Sequence, residues 1–385
     1  MRIALLCLLA LVGSARAEHL PFRTYTTSDG LPNNRVEHGT RDARGFLWFA
    51  TAGGVSRFDG EQFVTYGTAD GLPADETNDV LAAHDGTIWA ATDGGVAWLD
   101  PAERTVRPRF HAIAGPAALS IAEAGSQIWF GTEAGLARFE RGALTPIALQ
   151  PGAQPLVLAV AYDERDSSFW LGTRSGLLHR RQDGVVEHYR VRADGYTDDR
   201  VCSLLIDRAG RLWIGHVGSI VLAIPLSPGK PLTDSSRPLW ELAIEHADWL
   251  HYTAHGWARR KILEDSQGTI WIGTTRDLVR FRDVAFEELS AARTGIDAAA
   301  APCVEDGDGN VWFGSESGVH RLTRSGLVVF DRDDGLGSSI VYSFYQPPDG
   351  PVHAVIADEN LEIARRDGDH FTRIKPTVPA GLRGA

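Results

Sequence analysis

Short hydrophobic runs separated by turn-forming residues occupy most of the chain. Residues 201–206 (VCSLLI) are rich in β-forming side chains, and the Asp207 and Gly210 that follow are residue types that favour tight turns. Runs of this length, with glycine and aspartate between them, are typical of antiparallel strands. The pattern therefore predicts an all-β fold.

A four-residue core that begins with tryptophan occurs seven times. Its successive spacings are 41, 40, 41, 43, 58 and 41 residues. The cores begin at Trp48, Trp89, Trp129, Trp170, Trp213, Trp271 and Trp312. A repeat of this length indicates an architecture built from similar structural units.

Each repeat is long enough for four strands. Five repeats place a glycine six residues after the tryptophan, where a positive φ carries no steric cost; these are Gly54, Gly95, Gly135, Gly176 and Gly318. Four antiparallel strands in about forty residues form one blade of a β-propeller. We expect the tryptophan side chains to fill the space between blades, each with a partner for its ring N–H.

The residues around the first core resemble the two-component regulator propeller repeat. The similarity rests on Asn34, Val36, the run 42–48 (DARGFLW) and the run 54–59 (GVSRFD). The linker Asp-Gly-Leu-Pro, at 29–32 and 70–73, makes it more specific. In that family such repeats form the extracytoplasmic, ligand-sensing region of bacterial receptors. The resemblance implies a sensory input region, and a homodimer through a longer parent receptor.

The order of the strands predicts how the ring closes. Residues 22–25 match the outer strand of a blade but precede the first core, so we expect them to complete the blade of Trp312 and to give seven blades. Residues 327–385 resemble a degenerate further unit, with strand-like segments at 353–356 and 361–364. They form either an eighth blade or, as we favour, the start of a truncated second propeller. The predicted organisation is a signal peptide at 1–17, a propeller at 18–326 and this extra blade at 327–385.

Composition and targeting signals narrow the classes of function. The formal net charge is −12 and no basic run stands out, which argues against nucleic-acid binding. Arg2, an apolar run and small residues before Glu18 predict a secretory signal and a periplasmic protein. Beyond that segment no apolar run reaches the length of a membrane helix. Cys202 and Cys303 are predicted to be separate buried thiols.

Departures from the repeat mark the candidate ligand site. The fifth repeat has His216 and Ser219 where others have threonine and glycine, and the sixth has Asp277 at the glycine position. The long spacing between these repeats holds an insertion rich in aromatic residues and histidine, and residues 246–257 are predicted to form a loop at the channel mouth. The predicted contacts to a small polar ligand such as a carbohydrate are His216, Trp249, His251, Tyr252, His255, Trp257, Arg276 and Asp277. Packing of the insertion is the alternative.

Other chemistries have weaker support in the sequence. His246, His251 and His255 match no strong zinc motif, and residues 306–310 (DGDGN) are interpreted as a hairpin turn rather than a calcium loop. No nucleotide-binding or hydrolase motif is present, so we expect no catalytic residues, metal or cofactor. We favour a periplasmic sensor without enzyme activity of its own. An exported interaction scaffold and a lyase-type propeller are the alternatives, because the fold alone does not decide function.

Overall fold

The computed structural model describes most of the chain after residue 21. The described residues are 22–100, 108–152, 154–192, 198–233, 236–254, 258–290, 294–296, 300–324, 336, 340–347, 350–357, 361–367 and 370–374. The predicted signal peptide lies outside them. The described strands belong to two compact units, one within Phe22–Gly326 and one within Leu327–Ala385.

The larger unit contains seven four-stranded antiparallel sheets within its described residues, numbered here as blades 1 to 7. The first strand of the chain is β1, Phe22–Tyr25. Blade 1 consists of β2 Val36–Arg41, β3 Leu47–Thr51, β4 Gly54–Phe58 and β5 Phe63–Tyr66. Blade 2 consists of β6 Thr77–Ala82, β7 Ile88–Thr92, β8 Gly95–Leu99 and β9 His111–Ala114. Blade 3 consists of β10 Ala118–Ala124, β11 Gln127–Thr132, β12 Gly135–Glu140 and β13 Ala143–Ile147.

The remaining blades follow the same order. Blade 4 consists of β14 Val157–Asp163, β15 Ser168–Thr173, β16 Gly176–Arg180 and β17 Val186–Tyr189. Blade 5 consists of β18 Val201–Ile206, β19 Arg211–His216, β20 Ile220–Pro225 and β21 Leu250–Thr253. Blade 6 consists of β22 Ala258–Glu264, β23 Ile270–Thr274, β24 Leu278–Arg282 and β25 Ala285–Leu289. Blade 7 consists of β26 Ala301–Glu305, β27 Val311–Gly314 and β28 Val319–Leu322, with β1 as its fourth strand.

The first strands of the blades face one another around a ring, and β26 of blade 7 packs against β2 of blade 1. The β-propeller predicted from the sequence is thus confirmed. The prediction that residues 22–25 complete the last blade is also confirmed, because β1 pairs with β28 from Phe22 opposite Leu322 to Tyr25 opposite Val319. Radial closure of this kind leaves only short strand edges exposed.

Tryptophan side chains pack the blades together, as predicted. Trp48 lies among Val80, Ala90 and Leu99 of blade 2, and Trp312 of blade 7 lies against Phe49 of blade 1. Their burial removes large apolar surfaces from water at every interface between blades, which is the main stabilising contribution in such a fold.

The turn before each core supplies the partner for several indole groups. Trp213 Nε1 donates to Asp207 Oδ2 at 2.8 Å, and the same carboxylate accepts from the Arg211 backbone N–H. Trp48, Trp271 and Trp312 make the equivalent bond to Asp42, Asp265 and Asp306. Residues 306–310 are therefore a hairpin turn, as the sequence predicted. Trp129 lacks this bond, and its buried Nε1 has no partner among the described residues.

Positive φ angles occur at the five predicted glycines, with 114° at Gly54. A Cβ there would lie 2.3 Å from the Tyr66 carbonyl oxygen, so both φ and space require glycine. Ser219 takes over the left-handed position in blade 5 with φ 64°. Asp277 does not adopt a positive φ, although its turn has the same bond from the Thr274 N–H to the Asp277 carbonyl that Ser315 and Gly318 form in blade 7.

The insertion lies between β20 and β21, the third and fourth strands of blade 5. It contains a short helix, α1, Leu239–Glu245. The helix starts on the edge of blade 4, where the Leu239 and Trp240 N–H groups donate to the Arg190 and Val191 carbonyls. The insertion therefore packs on the outside of two neighbouring blades.

The smaller unit is one antiparallel sheet in chain order. Its strands are β29 Ile340–Tyr345, β30 His353–Ala357, β31 Leu361–Asp367 and β32 His370–Ile374. Ala354, Ile356, Ala364 and Phe371 form its small core. It has the strand order of a blade, and its relation to an eighth or a second-ring blade stays a prediction.

No disulfide joins the two cysteines that follow the predicted signal. Cys303 is buried, whereas Cys202 is only partly buried, so the prediction of two buried thiols is wrong for Cys202. Cys202 occupies the bulge position of β18, where the strand register shifts between Val201 and Ser203.

Candidate functional site

His216 is fully buried and holds a turn together. Its Nδ1 accepts the Gly218 N–H at 2.8 Å, and its Nε2 lies 3.1 Å from Asp199 Oδ1. In blade 1, Thr51 Oγ1 accepts the N–H two residues on in the same way. The imidazole therefore replaces the threonine hydroxyl of the other repeats, and this local role accounts for its presence.

Trp249 is 8% exposed and belongs to the core beneath the insertion. Its ring stacks on His246 with 4.8 Å between centroids, and it shares a cluster with Leu239 and Leu242 of α1. The structure thus gives Trp249 a packing role in the insertion.

His251 and Tyr252 lie in β21, the outermost strand of blade 5, opposite Leu222 and Val221. The prediction of one loop over residues 246–257 is therefore wrong for residues 250–253, because these residues extend the sheet. Tyr252 stacks on Phe286 at 4.6 Å and donates its hydroxyl to Glu288. Burial, then the contact with Glu288, raises the pKa of the Tyr252 phenol well above its ordinary value.

Of the remaining predicted residues, Asp277 lies close enough to Tyr252 for its charge to help raise the pKa of that phenol. Arg276 is exposed and Asp277 is half-buried in the turn after β23. His255 and Trp257 lie outside the described residues. The predicted carbohydrate site stays a prediction, and β21 lies on the outer edge of its blade rather than near the channel.

A small cavity of about 20 Å³ lies in the central channel of the propeller. One part of its lining is polar and consists of Glu37, Asn78, Ser120 and Lys261. The other part is apolar and consists of Leu119, Leu158, Ala159, Val160 and Leu204. These residues belong to the first strands of blades 1 to 6, so the cavity is a meeting point of six blades. A cavity of this size has room for about one water molecule.

An ionic cluster beside this cavity joins four blades. Asp79 of β6 is 1% exposed, and its Oδ2 lies 3.1 Å from Lys261 Nζ of β22. Asp79 Oδ1 contacts His38 Nδ1 of β2, and Oδ2 also accepts the Ile121 N–H at 2.9 Å from β10. One carboxylate is therefore bound by groups from blades 1, 3 and 6.

The contacts within the cluster shift the pKa values of Asp79 and His38. Burial alone would raise the pKa of Asp79, but Lys261, His38 and the Ile121 N–H outweigh it and hold that pKa far below its ordinary value. Burial and Lys261 lower the pKa of the His38 imidazole, against the opposing pull of Asp79. At neutral pH the cluster is an Asp–Lys ion pair with a neutral histidine.

These residues occupy one register position of the repeat. His38 pairs with Ala50, Asp79 with Ala91, Ser120 with Gly131, Ala159 with Gly172 and Ser203 with Gly215. Lys261 directly precedes Ile262, which pairs with Ile272. In blades 1 to 5 this position comes just after the bulge of the strand, whereas Lys261 lies within the irregular stretch between Ala258 and Ile262. This position was not among the predicted site residues, although an alignment of the seven repeats on it reveals three ionisable residues within otherwise β-forming runs.

The described residues contain no group of three or more metal-ligating side chains and no helix that is long and apolar enough to cross a membrane.

One family model matches part of the chain. The model of the family described as two component regulator propeller matches residues 256–276. No curated protein matches the chain in sequence.

Solved structures share the fold at low identity. The extracellular domain of BT3049 from B. thetaiotaomicron, assigned to a hybrid two component system, has a TM-score of 0.63 and 19% identity, over 93% of this chain and 49% of that chain. The extracellular domain of BT4673 from the same organism has a TM-score of 0.64 and 16% identity, over 92% of this chain and 47% of that chain. A streptogramin B lyase structure has a TM-score of 0.60 and 16% identity, over 78% and 97%.

The chain spans about half the length of the two extracellular domains. At these identities the similarity shows the fold alone. The matched repeat and the shared fold agree with the resemblance of the first core. The chain thus carries the two-component regulator propeller repeat, in a β-propeller fold that it shares with extracellular domains of two-component systems.

Proposed function

We propose that this chain is the periplasmic, ligand-sensing input region of a two-component-type signalling receptor. The matched repeat is the observation that carries the proposal, because it occurs here in a β-propeller fold shared with extracellular domains of two-component systems. A ligand shifts a receptor between states only through different affinities for them.

Export is part of the proposal and rests on the sequence. Residues 1–17 have the charged start, apolar run and small residues of a secretory signal. A fusion of residues 1–40 to a reporter enzyme that is active only in the periplasm is expected to be active, whereas a fusion that starts at residue 18 is expected to be inactive. Activity of both, or of neither, contradicts periplasmic export.

Binding rather than catalysis is supported by the state of the ionisable groups. A general base works best with a pKa near the operating pH, whereas the pKa of Asp79 is held far below it by Lys261 and His38. A lyase function is the second candidate, because a streptogramin B lyase has a similar fold. None of the channel groups described above favours a lyase over a binding site.

A thermal-shift screen of the mature chain tests the sensing function. The panel contains sugars, amino acids, carboxylic acids and short peptides. A true ligand at a hundred times its dissociation constant stabilises the folded state by about 2.7 kcal/mol, a readily visible shift in Tm. If no member of a broad panel shifts Tm, the sensing proposal is wrong and the scaffold function gains support.

The predicted site at the insertion is tested in the same screen. His251→Ala leaves the buried Trp249 in place and changes an exposed side chain of β21. A ligand whose shift disappears in this variant binds at the insertion, whereas a ligand whose shift remains does not need His251.

A further inference from the structure

The smaller unit has an open edge at its first strand. Its sheet runs in the order β29, β30, β31, β32, and in the described part of the chain β29 pairs with β30 alone. In the larger unit the first strands lie side by side around a closed channel, where neighbouring blades shield their free edges. β29 differs, because residues 342–346 are all exposed. The N–H and C=O groups on its outer side are therefore open to pairing with another strand.

Exposed aromatic side chains concentrate in this strand. Six large hydrophobic side chains are exposed among the described residues, and three of them are Tyr342, Phe344 and Tyr345, at 65%, 63% and 62%. A cluster of exposed apolar groups marks an interaction site. The strand therefore offers both backbone groups and apolar side chains to a partner.

The features that usually protect a strand edge are absent from β29. Its residues 340–345 (IVYSFY) are mostly β-forming and include no charge, proline or glycine. Charged residues and proline on an edge strand oppose its pairing with other chains. Outer strands in this protein do carry such residues, namely Arg23 in β1, Pro146 in β13, Glu187 in β17 and Arg373 in β32.

A second copy of β29 is a complementary partner for this edge. A strand that pairs with its own copy brings each of its charges close to identical charges, which is unfavourable. β29 has no charged residue, so two copies meet without this repulsion. In an antiparallel pair the aromatic side chains of the two copies lie against one another, and such cross-strand pairs are stabilising.

The area available at this edge is sufficient for a specific contact. At their observed exposure, the three aromatic side chains of two copies present roughly 600–900 Å² for burial. The backbones of two six-residue strands add to this area. The total therefore approaches the roughly 1,000 Å² that a specific interface needs.

We propose that two copies of this chain associate through β29. The two strands pair antiparallel about a two-fold axis and join two four-stranded sheets into one sheet of eight strands. Each copy contributes its β29 once, so the pairing closes on itself and the product is a dimer. The inference concerns assembly and does not depend on which ligand the proposed sensor binds.

Sedimentation velocity tests the association with the mature chain. From low to high micromolar concentration the wild type is expected to shift from monomer to dimer. Phe344→Lys places like charges in the paired strands and is expected to raise the dissociation constant at least about tenfold. Ile244→Lys is the matched control, because Ile244 is 61% exposed but lies in α1 of the larger unit. Its dissociation constant is expected to equal that of the wild type.

Hydrogen exchange of the wild type locates the contact without any variant. The amides of residues 340–345 are expected to exchange more slowly at high protein concentration than at low concentration. The amides of β32, at the other edge of the same sheet, are expected to exchange equally at both concentrations. This measurement decides even if a variant folds poorly.

Three results overturn the inference. A chain that stays monomeric over this range does so, and leaves the edge to a further blade of a longer parent chain. A dimer whose dissociation constant responds equally to the two lysine substitutions, or to neither, also does so. The third is a dimer in which the β29 amides gain no protection. All three leave the sensing proposal standing, because that proposal is tested by ligand binding.

Discussion

Lys261 Nζ lies 3.1 Å from Asp79 Oδ2, although 182 residues separate the two along the chain. Because Lys261 belongs to blade 6 and Asp79 to blade 2, this ion pair bridges blades that are not neighbours in the ring. The pair therefore stabilises the ring across its channel, in addition to the packing between adjacent blades.

Removing the lysine is expected to destabilise the protein. Lys261→Met leaves Asp79 buried with a weaker set of partners, and breaking one side of a buried pair costs about 3–5 kcal/mol. Urea unfolding at pH 7 measures this loss. The double variant Asp79→Asn with Lys261→Met is expected to recover part of it, because no buried charge is then left alone. Equal stability of Lys261→Met and the wild type would show that the pair contributes nothing.

The Lys261→Met variant is expected to unfold at a higher pH than the wild type when the pH is lowered. The pKa of Asp79 is lowered in the folded state, so its contribution to stability is present above the unfolded pKa of about 3.9 and is lost as the pH falls towards the folded value. Without Lys261 the folded pKa rises and the contribution shrinks. Acid titration followed by circular dichroism measures the midpoint, and an unchanged midpoint speaks against the proposed role of Lys261.

The protein is expected to lose stability in acid because of His320, which contacts the closing strand β1. Burial lowers the pKa of His320 to about 4, and its ring nitrogens lie 2.9 Å from Thr24 Oγ1 of β1 and 2.8 Å from Ser315 Oγ. The unfolded chain takes up the proton near pH 6.5 and the folded chain only near 4, so stability falls between these values, by about 3 kcal/mol.

Urea unfolding from pH 7 to pH 4 compares the wild type with His320→Gln, and the difference between the two curves is the quantity predicted. His84→Gln is the control. Glu123 raises the pKa of the His84 imidazole in the wild type. His84 therefore contributes stability that is present at low pH and is lost as the pH rises through its folded pKa. If the curves of wild type and His320→Gln stay parallel, His320 is not the titrating group.

Two tryptophans allow a matched measurement of the indole hydrogen bond. Trp213 donates to Asp207, whereas Trp129 Nε1 has no partner among the described residues, and each has an arginine guanidinium 5.6 Å from its ring. Trp213→Phe is expected to cost about 1–2 kcal/mol more than Trp129→Phe, because it also leaves a buried carboxylate with one partner fewer. Equal losses in urea unfolding would assign the role of Trp213 to packing alone.

Closure of the ring is testable at Tyr25. Tyr25 of β1 stacks on Trp312 with 5.3 Å between centroids, and Tyr66 of β5 stacks on Trp48 at 5.7 Å. Tyr25→Ala and Tyr66→Ala are both expected to cost about 3–5 kcal/mol. Hydrogen exchange distinguishes them: Tyr25→Ala is expected to expose the β28 amides far more, because β1 is joined to blade 7 by pairing only. Similar exchange of the β28 amides in both variants would show that the pairing of β1 with β28 is not the weak point of the ring.

The fold follows from the sequence because its determinants are local. Each Trp core marks one blade, a turn aspartate precedes four of the cores, and a glycine with positive φ follows five of them. Gly54 shows how closely backbone geometry fixes the residue type. Even the closing strand was recognisable, since residues 22–25 carry the pattern of an outer strand without its blade.

The candidate site could not be predicted in the same way. Asp79, His38 and Lys261 come from three repeats, and their contacts depend on the ring geometry and on a bulge that turns each side chain. The insertion attracted attention through its aromatic residues and histidines, but Trp249 is buried in its own core and Tyr252 extends a sheet. A side chain that departs from the repeat can serve packing just as well as binding.

The pairing of β1 with β28 also governs the order of events during synthesis. Phe22 leaves the ribosome 300 residues before its partner Leu322. At 5–20 residues per second that interval lasts roughly 15–60 s, during which β1 has no sheet to join. Its four residues and the exposed Arg23 make it a poor template for association with other chains. The strand that completes the ring can thus stay unpaired until β28 is synthesised with little tendency to associate with other chains.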